Sequence, residues 1–182
     1  MAEAPCYTPP MLAPRATRHL LAVVLLSCFS LTLAAQDREP APHFRAKTLD
    51  GQQFNNASVK GKVVLLEFWT TWCPYCKQEQ PVVDQITREF ADKGLIVLAI
   101  DVGESKKTVK KYLQDTPRSC PIVLTEDTNL AAMYEAKSYP IYVVIDRDGN
   151  VAAEQRGAGG EDSLRHMLRQ AGLGEPQKSD SD

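Results

Sequence analysis

Apolar residues along this chain form short unbroken runs, separated by stretches in which they recur every three or four positions. The unbroken runs predict strands buried on both faces, because they lack the alternation of a half-exposed strand. They lie at residues 63–69, where Glu67 is the one charged residue, at 95–101, which ends in Asp101, and at 141–145. Residues 77–90 place Val83, Ile86 and Phe90 at helical spacing and predict an amphipathic helix. The pattern therefore predicts an α/β sandwich in which helices flank a mixed central sheet.

Turn and cap residues place the remaining elements. Asp50 and Gly51 separate two short strand-like segments and predict an N-terminal β-hairpin. Ser105 is a residue type that favours a helix N-cap, and it predicts a helix that runs to Leu113. The other segments predict a short strand, a short helix, a second hairpin and a closing helix, at residues 122–125, 129–134, 141–155 and 164–171.

The first 35 residues have the pattern of a targeting segment. Arg15 and Arg18 precede an apolar run at residues 20–33, and small residues then precede a polar start, as in a secretory signal peptide. An uncleaved membrane anchor is an alternative, and so is a lipid on Cys28, which ends a lipobox-like sequence. All three interpretations predict a periplasmic or otherwise extracytoplasmic domain.

Length and charge limit what the rest of the chain can be. Residues 36–43 are expected to form a linker, residues 44–173 one folded domain, and residues 174–182 a disordered polar tail. The formal net charge is −2 and no basic stripe is evident, so nothing in the charge pattern favours nucleic acid. Proteins or peptides are the expected partners.

Two cysteines three positions apart stand between the first buried strand and the predicted helix. Cys73 lies where unpaired N–H groups and the positive end of the helix dipole favour a thiolate, so it is the candidate nucleophile. Cys76 is one turn further and can close a disulfide with it. A zinc site would need two more ligands, and there is no second cysteine pair. The sequence favours redox chemistry without metal or cofactor over zinc or an inert disulfide, and Cys120 is expected to be a small buried apolar residue.

The cysteine motif and its surroundings resemble the thioredoxin superfamily. The resemblance rests on Glu67, the motif Trp72-Cys73-Pro74-Tyr75-Cys76, Pro81, and Tyr139-Pro140 before a strand. The phrases at residues 63–69 and 133–149, with the targeting segment, narrow it to the TlpA/ResA-like thiol-disulfide oxidoreductases of bacterial envelopes. It covers about residues 44–173 and implies a thioredoxin-like sandwich with a central helix–strand insertion.

This resemblance implies a catalytic role for each matched residue. Cys73 would attack a partner's disulfide, Cys76 would resolve the mixed disulfide, and Glu67, buried beneath the motif, would take the Cys76 proton. For Glu67 the alternative is an outward-facing strand residue bound to a lysine. Pro140 matches the family's cis-proline. Glu79 matches an active-site glutamate of ResA-type members, with a solvated helix carboxylate as the alternative.

Four residues are implied to contact the substrate. Trp72 is expected to shield the thiols and present an aromatic surface, with simple packing as the alternative. Pro74 and Tyr75 lie between the cysteines, and the backbone of Tyr139 would be exposed for strand-like pairing with a partner.

The expected function is reduction of disulfides in partner proteins outside the cytoplasm. The resemblance implies re-reduction by a membrane thiol transporter of the DsbD or CcdA kind, with apocytochrome c among the candidate substrates in cytochrome c maturation. A glutathione-dependent, glutaredoxin-like enzyme is an alternative, because Pro74 and Tyr75 are also the dipeptide of many glutaredoxins. A non-enzymatic, redox-gated binding module is another. A peroxiredoxin is disfavoured, because Leu66 occupies the place of a proline in that family's motif.

Overall fold

The computed structural model describes residues 38–174. The predicted targeting segment, the first two residues of the predicted linker and all but the first residue of the predicted tail lie outside the described residues. Among the helices of residues 38–174, none is long and apolar enough to span a bilayer.

Residues 38–174 form seven strands and four α-helices. The strands are β1 (Arg45–Thr48), β2 (Gln53–Asn55), β3 (Val63–Trp69), β4 (Leu95–Asp101), β5 (Ile122–Thr128), β6 (Ile141–Ile145) and β7 (Val151–Arg156). The helices are α1 (Pro74–Phe90), α2 (Lys106–Asp115), α3 (Leu130–Met133) and α4 (Gly160–Gln170), with a 3₁₀ turn at Ala91–Lys93.

The strands form one mixed sheet in the order β2-β1-β5-β4-β3-β6-β7. The central strands β3, β4 and β5 are parallel, whereas β6 runs antiparallel to β3, and β1 antiparallel to β5. The predicted thioredoxin-like sandwich is therefore confirmed, including the N-terminal hairpin β1–β2 and an insertion that contains α2 and β5.

Apolar side chains of β3 alternate between two cores, one on each face of the sheet. Leu65 and Trp69 pack under α1 and α4, while Leu66 and Phe68 pack on the opposite face with α3. Since every residue of β3 is buried, this strand carries a continuous apolar run instead of an alternating one.

Several element boundaries differ from the prediction, and for two of them the physical reason is clear. Helix α1 begins at Pro74, because proline has no N–H to satisfy and its fixed φ suits the first helical position. Strand β5 continues to Thr128, which pairs with Ala46 of β1. The polar second half of β5 lacked an apolar signal, so only pairing with the hairpin defines it.

Residues 38–43, predicted as a linker, hydrogen-bond to the far end of the sheet. Arg38 pairs with Asp146 at 2.9 Å, and the Ala41 N–H donates to the Gly149 carbonyl at 2.9 Å. The Glu39 carbonyl accepts from the Val151 N–H at 2.8 Å. This segment is therefore held against the β6–β7 turn, at the end of β3 opposite the cysteines.

Candidate active site

The two motif cysteines form a disulfide at the start of α1. Cys73 is the N-cap of the helix and Cys76 lies in its first turn, with their Cα atoms 5.3 Å apart. The Cys76 N–H donates to the Cys73 Sγ at 3.1 Å. An amide donor and the helix dipole both stabilise negative charge on this sulfur, so a thiolate is favoured at Cys73 when the bond is reduced.

Two exposed aromatic residues surround the buried disulfide. The exposed fractions of Trp72 and Tyr75 are 65% and 59%, in a fold that buries its other tryptophan. The Trp72 ring meets the Tyr139 ring edge to face, with the centroids 5.9 Å apart. The Tyr139–Pro140 peptide is cis, the isomer that the resemblance implied. These contacts bring the loop before β6 next to the cysteine motif.

Glu67 lies inside the protein and pairs with a buried arginine. The Arg118 Nη2 donates to the Glu67 Oε2 at 2.5 Å, and neither side chain is more than 1% exposed. The Arg118 guanidinium also lies over the Trp69 ring, 4.7 Å from its centroid. Burial raises the pKa of Glu67, and the nearby Arg118 charge opposes that rise. The outward-facing, lysine-bound alternative is therefore wrong.

Glu79 is also buried, so the solvated alternative for this carboxylate is wrong too. Its Oε1 accepts from the Gly159 N–H at 2.9 Å and from the Gly160 N–H, at the start of α4. Unpaired N–H groups at a helix N-terminus favour a carboxylate. Glu79 thus joins the cysteine-bearing helix to the closing helix, three residues beyond Cys76.

Cys120 and Asp101 are also buried in the protein. Burial raises the pKa of Cys120 to about 12, so this residue is a thiol near neutral pH, as expected of a small buried side chain. Burial, and then the neighbouring Glu104, raise the pKa of Asp101 to about 8. The Asp101 Oδ1 accepts from the Glu104 N–H at 3.3 Å, and the Glu104 carboxylate accepts from the Thr71 hydroxyl at 2.7 Å.

Sequence reasoning missed Arg118 and Glu104. Arg118 lies in a loop between Pro117 and Ser119, with no periodicity or motif to distinguish it from a surface arginine. Glu104 precedes the N-cap of α2 and resembles an ordinary turn residue. Their partners come from β3 and from the loop after it, so only the folded chain brings these groups together.

The topology and the site together define a class of protein. A Cys-x-x-Cys disulfide at the N-terminus of a helix, next to the carboxyl end of a central parallel strand and opposite a cis-proline, defines a thiol-disulfide oxidoreductase of thioredoxin-like fold. Within residues 38–174, no group of histidine, cysteine and acidic side chains could hold a metal ion.

Comparison with known proteins identifies the family. The model described as the AhpC/TSA family matches residues 38–154, and the chain belongs to this family. It is 36% identical to the thioredoxin-like protein YneN of Bacillus subtilis over 117 residues, 63% of this chain and 68% of that protein. It is 29% identical to the thiol-disulfide oxidoreductase ResA of Bacillus cereus over 129 residues, 71% of this chain and 75% of that protein.

Solved structures agree with the sequence relatives. A thiol:disulfide interchange protein of the thioredoxin family from Chlorobium tepidum superposes with a TM-score of 0.65 at 29% identity, covering 76% of this chain and 99% of that one. The exposed lipoprotein thioredoxin Etrx1 of Streptococcus pneumoniae has a TM-score of 0.62 at 25% identity, covering 71% and 99%. The protein is thus a thiol-disulfide oxidoreductase of the ResA type, and the non-enzymatic alternative is set aside.

Proposed function

We propose that the protein reduces disulfides in partner proteins outside the cytoplasm. The observation that carries the proposal is the Cys73–Cys76 pair at the N-terminus of α1, beside the exposed rings of Trp72 and Tyr75. A thiolate stabilised by a helix N-terminus suits attack on a disulfide, and exposed aromatic rings suit contact with another protein.

The exchange has two steps. The Cys73 thiolate attacks one sulfur of the partner's disulfide, and the other partner sulfur leaves with the electron pair as a thiolate. The Cys76 thiolate then attacks the Cys73 sulfur, the mixed disulfide breaks, and the second partner sulfur leaves. The partner has gained two electrons and this protein holds the disulfide. A membrane thiol transporter of the DsbD or CcdA kind would restore the dithiol.

Glu67 is proposed as the base for the second step. Cys76 must lose its proton before it attacks, and Glu67 projects from β3 on the face of the sheet that α1 covers. A buried carboxylate with a raised pKa is suited to accept a proton near neutral pH.

The loop before β6 is proposed to receive the substrate chain. Among the described residues, Tyr139 makes no backbone–backbone hydrogen bond, so its peptide groups are available for strand-like pairing. The cis Pro140 lies at the same end of the sheet as the cysteines, because Ile141 pairs with Phe68 near the carboxyl end of β3. Pro74 and Tyr75 would contact the partner from α1.

Glu79 is proposed to support the site by joining α1 to α4. Its side chain is buried and its Oε1 accepts from the Gly159 and Gly160 amides, while its Oε2 has no hydrogen-bond partner among the described residues. In this role it fixes α1, and with it the cysteines, against α4.

Export is proposed from the first 35 residues. The similarity to Etrx1, which is described as an exposed lipoprotein, supports a location outside the cytoplasm. Intact mass and N-terminal sequencing of the full-length protein from a bacterial host would discriminate the alternatives. Cleavage near residue 35 would indicate a signal peptide. A lipid on Cys28 would indicate a lipid anchor, and an intact N-terminus on protein found in the membrane fraction would indicate a membrane anchor.

Insulin reduction tests the function, with dithiothreitol as the electron source. Cys73→Ser should abolish turnover, since it removes the attacking sulfur, and Cys76→Ser should accumulate a mixed disulfide. Cys120→Ala is the matched control and should keep turnover, because its thiol is buried and protonated. Turnover that persists in Cys73→Ser would refute the assignment.

The reduction potential of the Cys73–Cys76 pair tests the direction. A value near the ~−270 mV of thioredoxin supports a reductant, and one near the ~−120 mV of DsbA would reverse the direction. Oxidised peptides carrying the haem-site cysteines of apocytochrome c test that substrate. Turnover that requires glutathione would favour the glutaredoxin-like alternative.

A further inference from the structure

The ion pair between Glu67 and Arg118 differs from the other ion pairs of residues 38–174. Both of its side chains are buried, whereas every other pair in this range has at least one member that is 32% exposed or more. Arg118 comes from the loop between α2 and β5, in the inserted part of the fold. It thus reaches across to a central strand from a segment remote in sequence.

Stability alone gives little reason for this pair. Removing two charges from water costs several kcal/mol per ion, and apolar residues often replace such pairs without loss. The pair is also incompletely bonded, because the Glu67 Oε1 and the Arg118 Nε have no hydrogen-bond partner among the described residues. An ion pair retained for stability would be expected to give the buried polar atoms of both side chains hydrogen-bond partners.

The unpartnered oxygen lies on the side of the sheet where the cysteines pack. Along β3, Glu67 alternates with Leu65 and Trp69, and these neighbours belong to the core cluster that contains Cys73 and Cys76. Arg118 engages only the Oε2 of the carboxylate. The Oε1 is left able to take a proton.

The other groups around Glu67 do not supply a positive charge. Two acids face it from α1, a thiol from the α2–β5 loop and a phenol from β6, namely Glu79, Asp84, Cys120 and Tyr142. Arg118 is the cation among the groups that surround Glu67 in the described part of the chain. Its contact with the Trp69 ring holds the guanidinium in place.

We propose that Arg118 is a positioning residue that favours the ionised form of Glu67, with Oε2 held and Oε1 free to receive the proton of Cys76. This inference rests on the proposed role of Glu67 as base. In the step concerned the Cys76 S–H bond breaks and the proton goes to Oε1. The Cys76 sulfur attacks Cys73, and the partner's sulfur leaves with the electron pair as a thiolate.

Removing the arginine should delay ionisation of Glu67 to higher pH. Burial alone raises the pKa of this carboxyl, and a neighbouring cation typically lowers such a pKa by about 1–3 units. A protonated Glu67 cannot accept a second proton. The resolving step should therefore slow about tenfold for each pH unit below the new midpoint.

The experiment follows the resolving step over pH 5–10 by stopped flow. The full-length reduced protein, carrying Cys6→Ser, Cys28→Ser and Cys120→Ala in every variant, reacts with 5,5′-dithiobis(2-nitrobenzoate): attack by Cys73 releases the first thionitrobenzoate and resolution by Cys76 the second. Arg118→Met should move the pH midpoint of the second phase upward by about 1–3 units. Arg118→Lys keeps the charge and should move it less. The control Arg88→Met removes a cation that binds the adjacent Ser119 and should leave the midpoint unchanged.

The variants separate two kinds of failure. If Glu67→Gln leaves the pH profile of the second phase intact, the proposed base is wrong, and this inference fails with it. If Glu67→Gln abolishes the Glu67-dependent limb but Arg118→Met lowers only the melting temperature, Glu67 stands as the base and Arg118 is merely structural. Should Arg118→Met fail to fold, Arg118→Gln takes its place, with the same upward shift expected and an unchanged midpoint overturning the inference.

Discussion

At the scale of single residues, burial decides what the acidic side chains can do. Glu67, Glu79 and Asp101 are each almost fully buried, yet their environments differ. Glu67 has a guanidinium and Glu79 has two helix N-terminal amides, whereas Asp101 has one amide and an acidic neighbour. Because charge in a low-dielectric interior is costly, these partners determine how well the negative charge of each buried carboxyl is compensated.

Asp101 should make stability fall as the pH rises. Its pKa is raised to about 8 by burial, whereas in the unfolded chain it loses its proton near pH 4. The folded state therefore binds more protons between these values, and the contribution is present below about pH 4 and lost as the pH rises through about 8. Asp101→Asn keeps the acceptor oxygen and should flatten this slope.

Urea unfolding of the wild type and of Asp101→Asn at pH 5, 7 and 9 checks the sign. The exposed Asp92→Asn provides the control and should follow the wild-type slope. Parallel curves for Asp101→Asn and the wild type would contradict the prediction.

At the scale of elements, α1 connects the redox chemistry to the closing helix. Its first turn carries the disulfide, and Glu79 one turn later accepts the amides at the start of α4. The same helix contacts the α2–β5 loop, where the Asp84 Oδ1 accepts from the Ser119 N–H at 2.7 Å. Helix α1 is thus held on both sides by its own carboxylates, which orients the cysteines.

Loss of the Glu79 carboxylate should destabilise the α4 junction. Glu79→Ala leaves the Gly159 and Gly160 amides without this acceptor and should lower the free energy of unfolding by about 1–3 kcal/mol. The control is Glu89→Ala on the same helix, which breaks an exposed pair with Arg165 and should cost about 0–1 kcal/mol. Denaturant unfolding measures both, and equal costs would argue against a capping role for Glu79.

At the scale of the whole molecule, strand direction separates the chemistry from the anchoring contacts. The parallel strands β3 and β4 place the cysteine motif and Asp101 at their carboxyl ends, and antiparallel β6 starts at the same end of the sheet, with Pro140 before it. At the opposite ends of these strands, residues 38–43 lie against the β6–β7 turn. Asp146 lies at that opposite end, where it pairs with Arg38 and accepts hydrogen bonds from the Asp148 and Asn150 amides.

Asp146 should contribute stability that acid removes. Burial tends to raise the pKa of Asp146, but its amide donors and Arg38 outweigh that effect and lower it. The contribution is thus present above about pH 4 and is lost as the pH falls through the folded-state pKa. At pH 7, Asp146→Ala should cost about 2 kcal/mol of unfolding free energy.

Thermal and urea unfolding at pH 7 and pH 3 test this contribution. The exposed Asp148→Ala in the same turn is the control and should stay within about 0.5 kcal/mol of the wild type. A cost for Asp146→Ala that is equal at both pH values would contradict the electrostatic explanation.

The order of elements and the identity of the redox pair could be predicted from sequence. Continuous apolar runs marked β3, β4 and β6, and the two cysteines between a strand and a helix marked the redox pair. These are local signals, since burial periodicity and helix-terminal chemistry depend on neighbours within a few positions. The polar second half of β5 gave no such signal, because its place is set by pairing with β1.

What the sequence determined by itself is therefore a sandwich with mixed sheet and a dithiol at a helix start. The tertiary structure alone decided that Arg118 faces Glu67, that Glu79 meets the start of α4, and that residues 38–43 bind to the β6–β7 turn. Each of these contacts joins residues that are more than 50 positions apart along the chain. The physical reason is that a charged side chain shows no periodicity of its own, and its partner is fixed only when the strands and helices that carry the two groups pack together.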